Sequence, residues 1–131
     1  MTGATARTIL RLRLHFAGGG IIGPGKAELL ERIERTGSIA AAGREMKMTY
    51  RRAWTLIETM NAMFRAPVVE SARGGPGVGG AALIPTGREV LRLYRALESG
   101  AQRAGAAEIA ALERLARPGP PADGDGDGDG G

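Results

Sequence analysis

Arginine and hydroxyl side chains lie close together between Thr49 and Thr55, in the segment TYRRAWT. The guanidinium groups of Arg51 and Arg52 can bond guanine bidentately, and Thr55 can meet a base or a methyl group. Tyr50 and the N–H groups at the start of a helix can bond phosphate. These residue types within two helical turns predict contact with nucleic acid. The same two arginines could also form a merely solvated surface.

The segment Thr49–Phe64 is predicted to be an amphipathic helix that positions these groups. Its apolar residues recur at steps of four, three and four, which places them along one side of a helix. This apolar stripe comprises Ala53, Ile57, Met60 and Phe64. The arginines and Thr55 fall on the opposite arc, so one face of the helix needs a core and the other a partner. Trp54, beside the stripe, is interpreted as a core aromatic.

Charge is distributed unevenly along the 131 residues. Residues 1–117 hold all 18 cationic side chains and 10 of the 14 acidic ones, a balance of +8, whereas the low-complexity segment 118–131 holds four aspartates. We therefore expect a single basic domain over 1–117 and a disordered acidic Gly/Asp tail over 118–131. A body this basic favours a polyanionic partner.

Composition argues against several other classes of protein. The chain has no cysteine and one histidine, His15, so no cofactor, metal site or catalytic constellation is expected, and the chain is not expected to be an enzyme. No apolar run approaches the ~20 residues of a membrane span, and no signal-peptide pattern is seen. We expect a cytoplasmic protein without a membrane partner.

Two glycine-rich segments imitate nucleotide-binding motifs. Gly20–Ala27 matches the phosphate-binding loop, but Ala27 replaces the hydroxyl residue that holds magnesium. Gly77–Ala82 matches the dinucleotide pattern, but a strand-like segment follows it where a helix is needed. Both are interpreted as connections, the first with Lys26 in the first turn of a helix.

The elements before the central helix complete a helix-turn-helix. Alternation over Thr8–Phe16 predicts a first strand with one buried face, followed by a loop over 17–25 and a helix over 26–36. Gly37 is expected to close that helix in the left-handed conformation, and Ser38 to cap the next one, over 39 to about 46. Lys47 and Met48 form the turn, and Thr49 caps the central helix.

The elements after the central helix form a wing and a further helical region. Segments 67–73 and 81–85 flank a glycine-rich connection and predict a β-hairpin with Arg73 as its charged contact. A capping box over Thr86–Glu89 is expected to start the next helix. A second helical run covers 102–115, and Gly100 and Gly105 leave open whether the two runs are continuous.

The predicted fold class is mostly α with a small β-sheet: a winged helix-turn-helix with an N-terminal strand, a hairpin wing and a C-terminal dimerisation helix. Its C-terminal apolar surface exceeds what a small winged domain covers, so we expect a homodimer on double-stranded DNA. The residues predicted to dimerise are Val90, Leu93, Tyr94, Leu97, Ile109 and Leu112. The residues predicted to contact DNA are Ser38, Lys47, Thr49, Tyr50, Arg51, Arg52, Thr55, Arg73, Gly75 and Gly77.

A set of short motifs resembles the N-terminal winged-helix domain of ModE, the molybdate-responsive transcriptional regulator. The likeness runs from about Leu10 to Tyr94. Its motifs are Gly37-Ser38-Ile39, Tyr50-Arg-Arg-Ala-Trp54, Met60-Asn61, Gly74-Gly75, Gly79-Gly80-Ala81 and Pro85-Thr86-Gly87. The resemblance implies a dimeric regulator of molybdenum-related genes that contacts DNA through Tyr50, Arg51, Arg52, Thr55 and the wing over Gly74–Gly80.

The chain departs from the family pattern at two places. Lys47 occupies the turn of the motif, where the family often has glycine, and would place an ammonium group near the phosphates. Full-length family members continue into a molybdate-binding module, which nothing after Leu115 could build, so we do not expect this chain to sense molybdate directly; a separate molybdate-binding protein could supply the signal. The alternative function is a winged-helix protein-interaction module whose basic face binds an acidic protein.

Overall fold

Five helices and two antiparallel hairpins make up the part of the chain that the computed structural model describes, residues 7–73 and 79–118, with the side chains of 72, 73 and 79 left aside. The helices are α1 (Pro24–Thr36), α2 (Ile39–Glu45), α3 (Tyr50–Met63), α4 (Pro85–Ala104) and α5 (Ala106–Leu115). The strands are β1 (Leu14–His15), β2 (Ile21–Ile22), β3 (Val69–Arg73) and β4 (Gly79–Leu83). Within these ranges every helix is too short or too polar to cross a membrane.

The main core lies where α1, α2 and α3 meet the hairpin of β3 and β4, which we call the wing. In the wing, Val69 pairs with Leu83 and Arg73 with Gly79. The fully buried side chains of this core include Leu29, Leu30, Ile33, Ile57, Met60 and Val68. Burial of each such side chain contributes about 1.5–3 kcal/mol, so this cluster holds the three helices and the wing together.

The strand predicted over Thr8–Phe16 was wrong in its extent. Only β1 forms, and it pairs with the equally short β2, because α1 begins two residues after β2 and leaves no longer strand to pair with. The prediction that one face of this strand is buried was also wrong, since Leu14 is 38% exposed and Phe16 is 37% exposed. Phe16 instead packs edge-on against Phe64, with ring centroids 5.6 Å apart.

Two helices begin earlier than predicted, and in both a proline occupies the first helical position. α1 starts at Pro24 and α4 at Pro85, where the fixed φ of proline suits the first turn and its missing N–H costs nothing. The predicted capping box is therefore wrong, since Ile84 precedes the helix and provides no side-chain cap. Glu89 accepts hydrogen bonds from Arg92 instead.

The two C-terminal helical runs are separate helices. Gly105 lies between α4 and α5, and its N–H donates to Ala101 while its carbonyl accepts from Ile109. Backbone hydrogen bonds thus continue across the junction, although α4 and α5 do not form one regular helix.

Tyr94 is buried inside the protomer, although it was predicted to belong to the dimerisation surface. It is 3% exposed, packs in a second cluster with Ile22 and Ala27, and its hydroxyl donates to the Leu12 carbonyl over 2.6 Å. The backbone N–H of Leu10 also donates to the side chain of Gln102. The N-terminal segment therefore runs along α4, and Tyr94 fastens it there.

Tyr94 predicts a loss of stability at alkaline pH. Burial, with the Glu98 carboxylate nearby, raises the pKa of Tyr94 from 10.0 to about 12. The unfolded chain therefore releases this proton first, and the contribution of Tyr94 is complete below pH 10.0 and is lost as pH rises toward about 12. The ultraviolet absorbance of tyrosinate measures this directly in Tyr50→Phe, where Tyr94 is the sole tyrosine.

Denaturant unfolding of Tyr94→Phe supplies the control. Tyr94→Phe should lack that part of the loss of stability which the wild-type chain shows between pH 10.0 and about 12. Appearance of tyrosinate near pH 10 in a chain that is still folded would contradict the assignment.

Candidate nucleic-acid interface

The turn between α2 and α3 has the geometry of a helix-turn-helix. Lys47 has φ of 59°, the left-handed conformation expected at the position where glycine is common. Its backbone N–H donates to Arg44, and that of Met48 donates to Gly43 over 2.9 Å. These bonds reverse the chain within three residues and leave the exposed side chain of Lys47 beside the start of α3.

Helix α3 has the two faces that its sequence predicts. Thr49 caps it, since its hydroxyl oxygen accepts from the N–H of Arg52 over 3.0 Å. Ala53, Ile57 and Met60 are fully buried, and Phe64, just past the helix, is partly buried against the same core. The opposite arc is exposed: Arg51, Arg52, Thr55, Glu58 and Thr59. Packing of the stripe thus determines which side chains face outward.

Side chains on the exposed arc are partly pre-positioned. Tyr50 is 55% exposed and meets the ring of Trp54 edge-on at 6.2 Å, while Trp54 packs partly against the core as predicted. The hydroxyl of Thr55 donates to the carbonyl of Arg51 over 3.0 Å, which leaves its oxygen and methyl group available to a ligand. The first two turns of α3 therefore present cationic, aromatic and hydroxyl groups to one side.

Helix α2 is held in place at both of its ends. At its start, the Ser38 hydroxyl oxygen accepts from Ala41, and the left-handed Gly37 before it, at φ of 70°, accepts the N–H of Ala81 from the wing. At its end, Glu45 pairs with two arginines of α1, Arg35 and Arg32. Their hydrogen bonds, that from Arg35 first, hold the pKa of Glu45 below its ordinary value.

Asn61 links α3 to the wing, a role that sequence reasoning missed. Its side-chain oxygen accepts from the N–H groups of Val68, over 2.7 Å, and Val69, while its amide donates to the Val69 carbonyl. One side chain thus satisfies three backbone groups where β3 begins and sets the wing relative to α3. The available signal was a polar residue of low helix propensity beside an apolar stripe.

The structure groups part of the predicted contact set in one place. Lys47, Thr49, Tyr50, Arg51, Arg52 and Thr55 are exposed around the start of α3, and Ser38 is half-buried at the start of α2. The backbone of Arg73 lies at the end of β3, but its side chain, Gly75 and Gly77 fall outside the described part of the chain.

Several known proteins are similar to the N-terminal part of this chain. The molybdenum-pterin-binding protein MopB of Rhodobacter capsulatus is 44% identical over 82 residues, which cover 63% of this chain and 30% of that protein. The molybdenum transport protein ModE of Azotobacter vinelandii is 38% identical over 92 residues, 70% of this chain and 34% of that protein. The DNA-binding transcriptional dual regulator ModE of Escherichia coli K12 is 36% identical over 81 residues, which cover 62% of this chain and 31% of that protein.

The chain thus spans about a third of the length of the curated relatives that it matches. No family model matches it. The resemblance to ModE-type proteins is confirmed over the N-terminal part of the chain. The names of these relatives are those of regulators, transport and binding proteins, in agreement with the expectation that the chain is not an enzyme.

Among solved structures, a CbnR_DBD–DNA complex matches 66% of this chain and 94% of that chain, with a TM-score of 0.52 and 20% sequence identity. The likeness shows the fold alone and confirms the predicted winged helix-turn-helix fold class.

Proposed function

We propose that the chain is a sequence-specific DNA-binding transcriptional regulator of the ModE type, with α3 as its recognition helix. The observation that carries this is the start of α3, where Arg51, Arg52 and Thr55 lie exposed opposite a fully buried stripe. A helix that exposes its N-terminal side chains in this way fits the major groove.

The proposed contacts divide into those to DNA bases and those to the DNA backbone. Arg51, Arg52 and Thr55 read base edges, whereas groups around them bind phosphates. The contacts to DNA phosphates come from Ser38, Lys47, Thr49 and Tyr50, and from Arg73, Gly75 and Gly77 of the wing. Ser38 and Thr49 accept backbone N–H bonds within the protein and retain their hydroxyl protons for phosphate.

The proposed regulator acts as a homodimer through α4 and α5. Four leucines stand out from these helices: Leu93 is 52% exposed, Leu97 45%, Leu112 65% and Leu115 83%. Val90 and Ile109 are half-buried beside them, whereas Tyr94 supports α4 from within. A second copy would cover this apolar surface and place two recognition helices on a palindromic site.

Control of molybdenum-related genes is the finer part of the proposal. It is supported by the names of the relatives, two of which refer to molybdenum-pterin binding and molybdenum transport. We propose that residues 1–117 form the domain, that the acidic segment 118–131 is not part of that domain, and that the protein acts in the cytoplasm. We also propose that a separate molybdate-binding protein supplies the signal. A chromosomal map of bound sites, with and without molybdate, examines target and effector together.

Substitution of Arg51 by alanine should selectively weaken binding to the preferred site. Loss of one bidentate contact to a base costs about 1–3 kcal/mol, or roughly a 5- to 150-fold increase in Kd. Binding to unrelated duplexes should fall much less, because it depends on phosphates. Shift assays with genomic fragments, followed by titration of the selected duplex, measure both quantities.

Arg103→Ala provides a matched control, since Arg103 is an exposed arginine in the last turn of α4. It should leave both affinities close to those of the wild-type chain. If genomic fragments show no preferred site and Arg51→Ala binds as the wild type does, the recognition-helix proposal is wrong. Preference for an acidic protein would then favour the interaction-module alternative.

A further inference from the structure

The base of the wing has buried backbone groups that one side chain of α3 satisfies. Val69, the first residue of β3, is 4% exposed, and its N–H and carbonyl both bond the amide of Asn61, each over 3.2 Å. The same amide oxygen accepts from the N–H of the fully buried Val68 over 2.7 Å. Asn61 therefore bonds the start of β3 much as a neighbouring strand would, through one acceptor and one donor.

Asn61 and the proposed base contacts lie at opposite ends of α3. Asn61 is half-buried in the last turn of the helix, whereas Arg51 is its second residue. The ten residues between these positions correspond to roughly 15 Å along the helix axis. The buried stripe of α3 holds the whole helix against the core, so the attachment of the wing and the base contacts belong to one rigid element.

The two strands of the wing are attached to the rest of the domain in different ways. β4 is held through backbone bonds: Ala81 donates to the carbonyl of Gly37 at the α1–α2 junction over 3.0 Å, and Ile84, just past β4, donates to Val68 over 2.9 Å. β3 pairs with β4, and the amide of Asn61 connects it to α3. The attachment on β3 therefore determines the angle between the wing and the recognition helix.

We propose that Asn61 is a positioning residue for DNA recognition, which holds the wing at the angle where its phosphate contacts and the base contacts of α3 engage the duplex together. This inference rests on the proposed function and adds to it a residue that acts through the wing instead of touching DNA. Phosphate contacts fix the register of a protein on the duplex, and contacts that are already in register before binding cost less ordering.

A double-mutant cycle with Arg73, which ends β3 and is the proposed cation of the wing, tests this coupling. In the wild-type chain, Arg73→Ala should weaken a preferred and an unrelated duplex alike, by about 5- to 10-fold at about 0.1 M salt. In Asn61→Leu the same substitution should change affinity by less than about twofold, because the wing is no longer held at the phosphates. Arg51→Ala should keep its full selective effect there, since the buried stripe still holds α3.

Gln102→Leu is the matched control, because it removes an amide that accepts one backbone N–H, that of Leu10, from a different helix. The effect of Arg73→Ala should be unchanged in this variant. Asn61→Asp is the conservative variant: it keeps an oxygen acceptor for the two N–H groups and loses the donor to the Val69 carbonyl. Its Arg73 effect should lie between those of the wild type and Asn61→Leu.

Thermal melts separate positioning from folding. Asn61→Leu leaves two buried N–H groups without an acceptor, so it should melt roughly 5–15 °C earlier than the wild type, and the titrations are made below that transition. Loss of the fold would diminish the Arg51 and Arg73 effects together, whereas a displaced wing removes the Arg73 effect alone. If Asn61→Leu does not fold, Asn61→Asp replaces it in the cycle, and an undiminished Arg73 effect there would overturn the proposal.

Each outcome decides between the two proposals. An Arg73 effect as large in Asn61→Leu as in the wild type would overturn the positioning role and leave the regulator proposal standing. Loss of both the Arg51 and the Arg73 effects would assign Asn61 to the fold alone and also overturn it. No Arg73 effect in the wild-type chain would remove the wing contact and this inference with it, while Arg51→Ala still judges α3. No duplex binding by the wild-type chain at low salt would overturn the proposed function as well.

Discussion

Leu97→Glu is expected to convert the proposed dimer into a monomer and to reduce affinity for the preferred site by roughly 100-fold or more. Leu97 is 45% exposed on α4, one turn after the equally prominent Leu93. Pairing with a second copy would bury the new carboxylate against leucines, at a cost of several kcal/mol. Each half of a palindromic site would then have to bind its own chain, without the effective concentration that pairing provides.

Sedimentation and duplex titration measure the two parts of this prediction. Ser99→Glu is the control, since it adds the same charge to an exposed residue on the opposite side of the same helix. It should remain dimeric and bind as the wild type does. The protomer fold should survive in both variants because Leu97 is already half in solvent. Dimers of unchanged stability in Leu97→Glu would place the interface elsewhere.

Gly87→Ala is expected to lower the free energy of unfolding by about 3 kcal/mol, or the melting temperature by roughly 10–20 °C. Gly87 is buried in the first turn of α4, and an added Cβ would lie 2.1 Å from the carbonyl oxygen of Val68 and 2.9 Å from its carbon. Both obstructing atoms are backbone, so no side-chain rotation can relieve the contact.

Val68 has little freedom to move because three elements meet there. Its N–H donates to Asn61 of α3, and its carbonyl accepts from Ile84, just before α4, over 2.9 Å. A methyl group at Gly87 must therefore displace α4 or break the attachment of the wing to α3. We expect the variant to lose DNA affinity along with stability.

Gly100→Ala in the same helix is the control for this substitution. Nothing lies within 4 Å of the position of its added Cβ, so alanine should stabilise α4 by up to about 1 kcal/mol through its higher helix propensity. Thermal and denaturant unfolding compare the two variants directly. Wild-type stability in Gly87→Ala would show that α4 can move away from Val68 at little cost.

Features that depend on neighbouring residues in the chain were predictable. The stripe of α3, the caps at Ser38 and Thr49, and the left-handed Gly37 follow from side-chain period and local backbone bonding, and the structure confirms them. Local preference also explains why the predicted capping box at Thr86 was wrong. The helix α4 begins at Pro85, because proline favours the first helical position.

Features that depend on a second segment were not predictable from their own residues. Alternating leucines over Thr8–Phe16 have the period of a strand, but a strand also needs a partner of similar length, and β2 has two residues. Tyr94 fits an exposed helical stripe in sequence, yet the N-terminal segment covers it and accepts its hydroxyl. Lys26 reads as an ordinary first-turn lysine in sequence, but the fold buries it, with its ammonium group donating to the Ile21 carbonyl.

By itself, the sequence determined that α3 has a core face and an outward cationic face, because helical period is a property of one segment. Only the tertiary structure decided that Asn61 and Gly87 meet at Val68. Contacts of that kind depend on distances between segments far apart in the chain, which packing of the whole core establishes and no local pattern records.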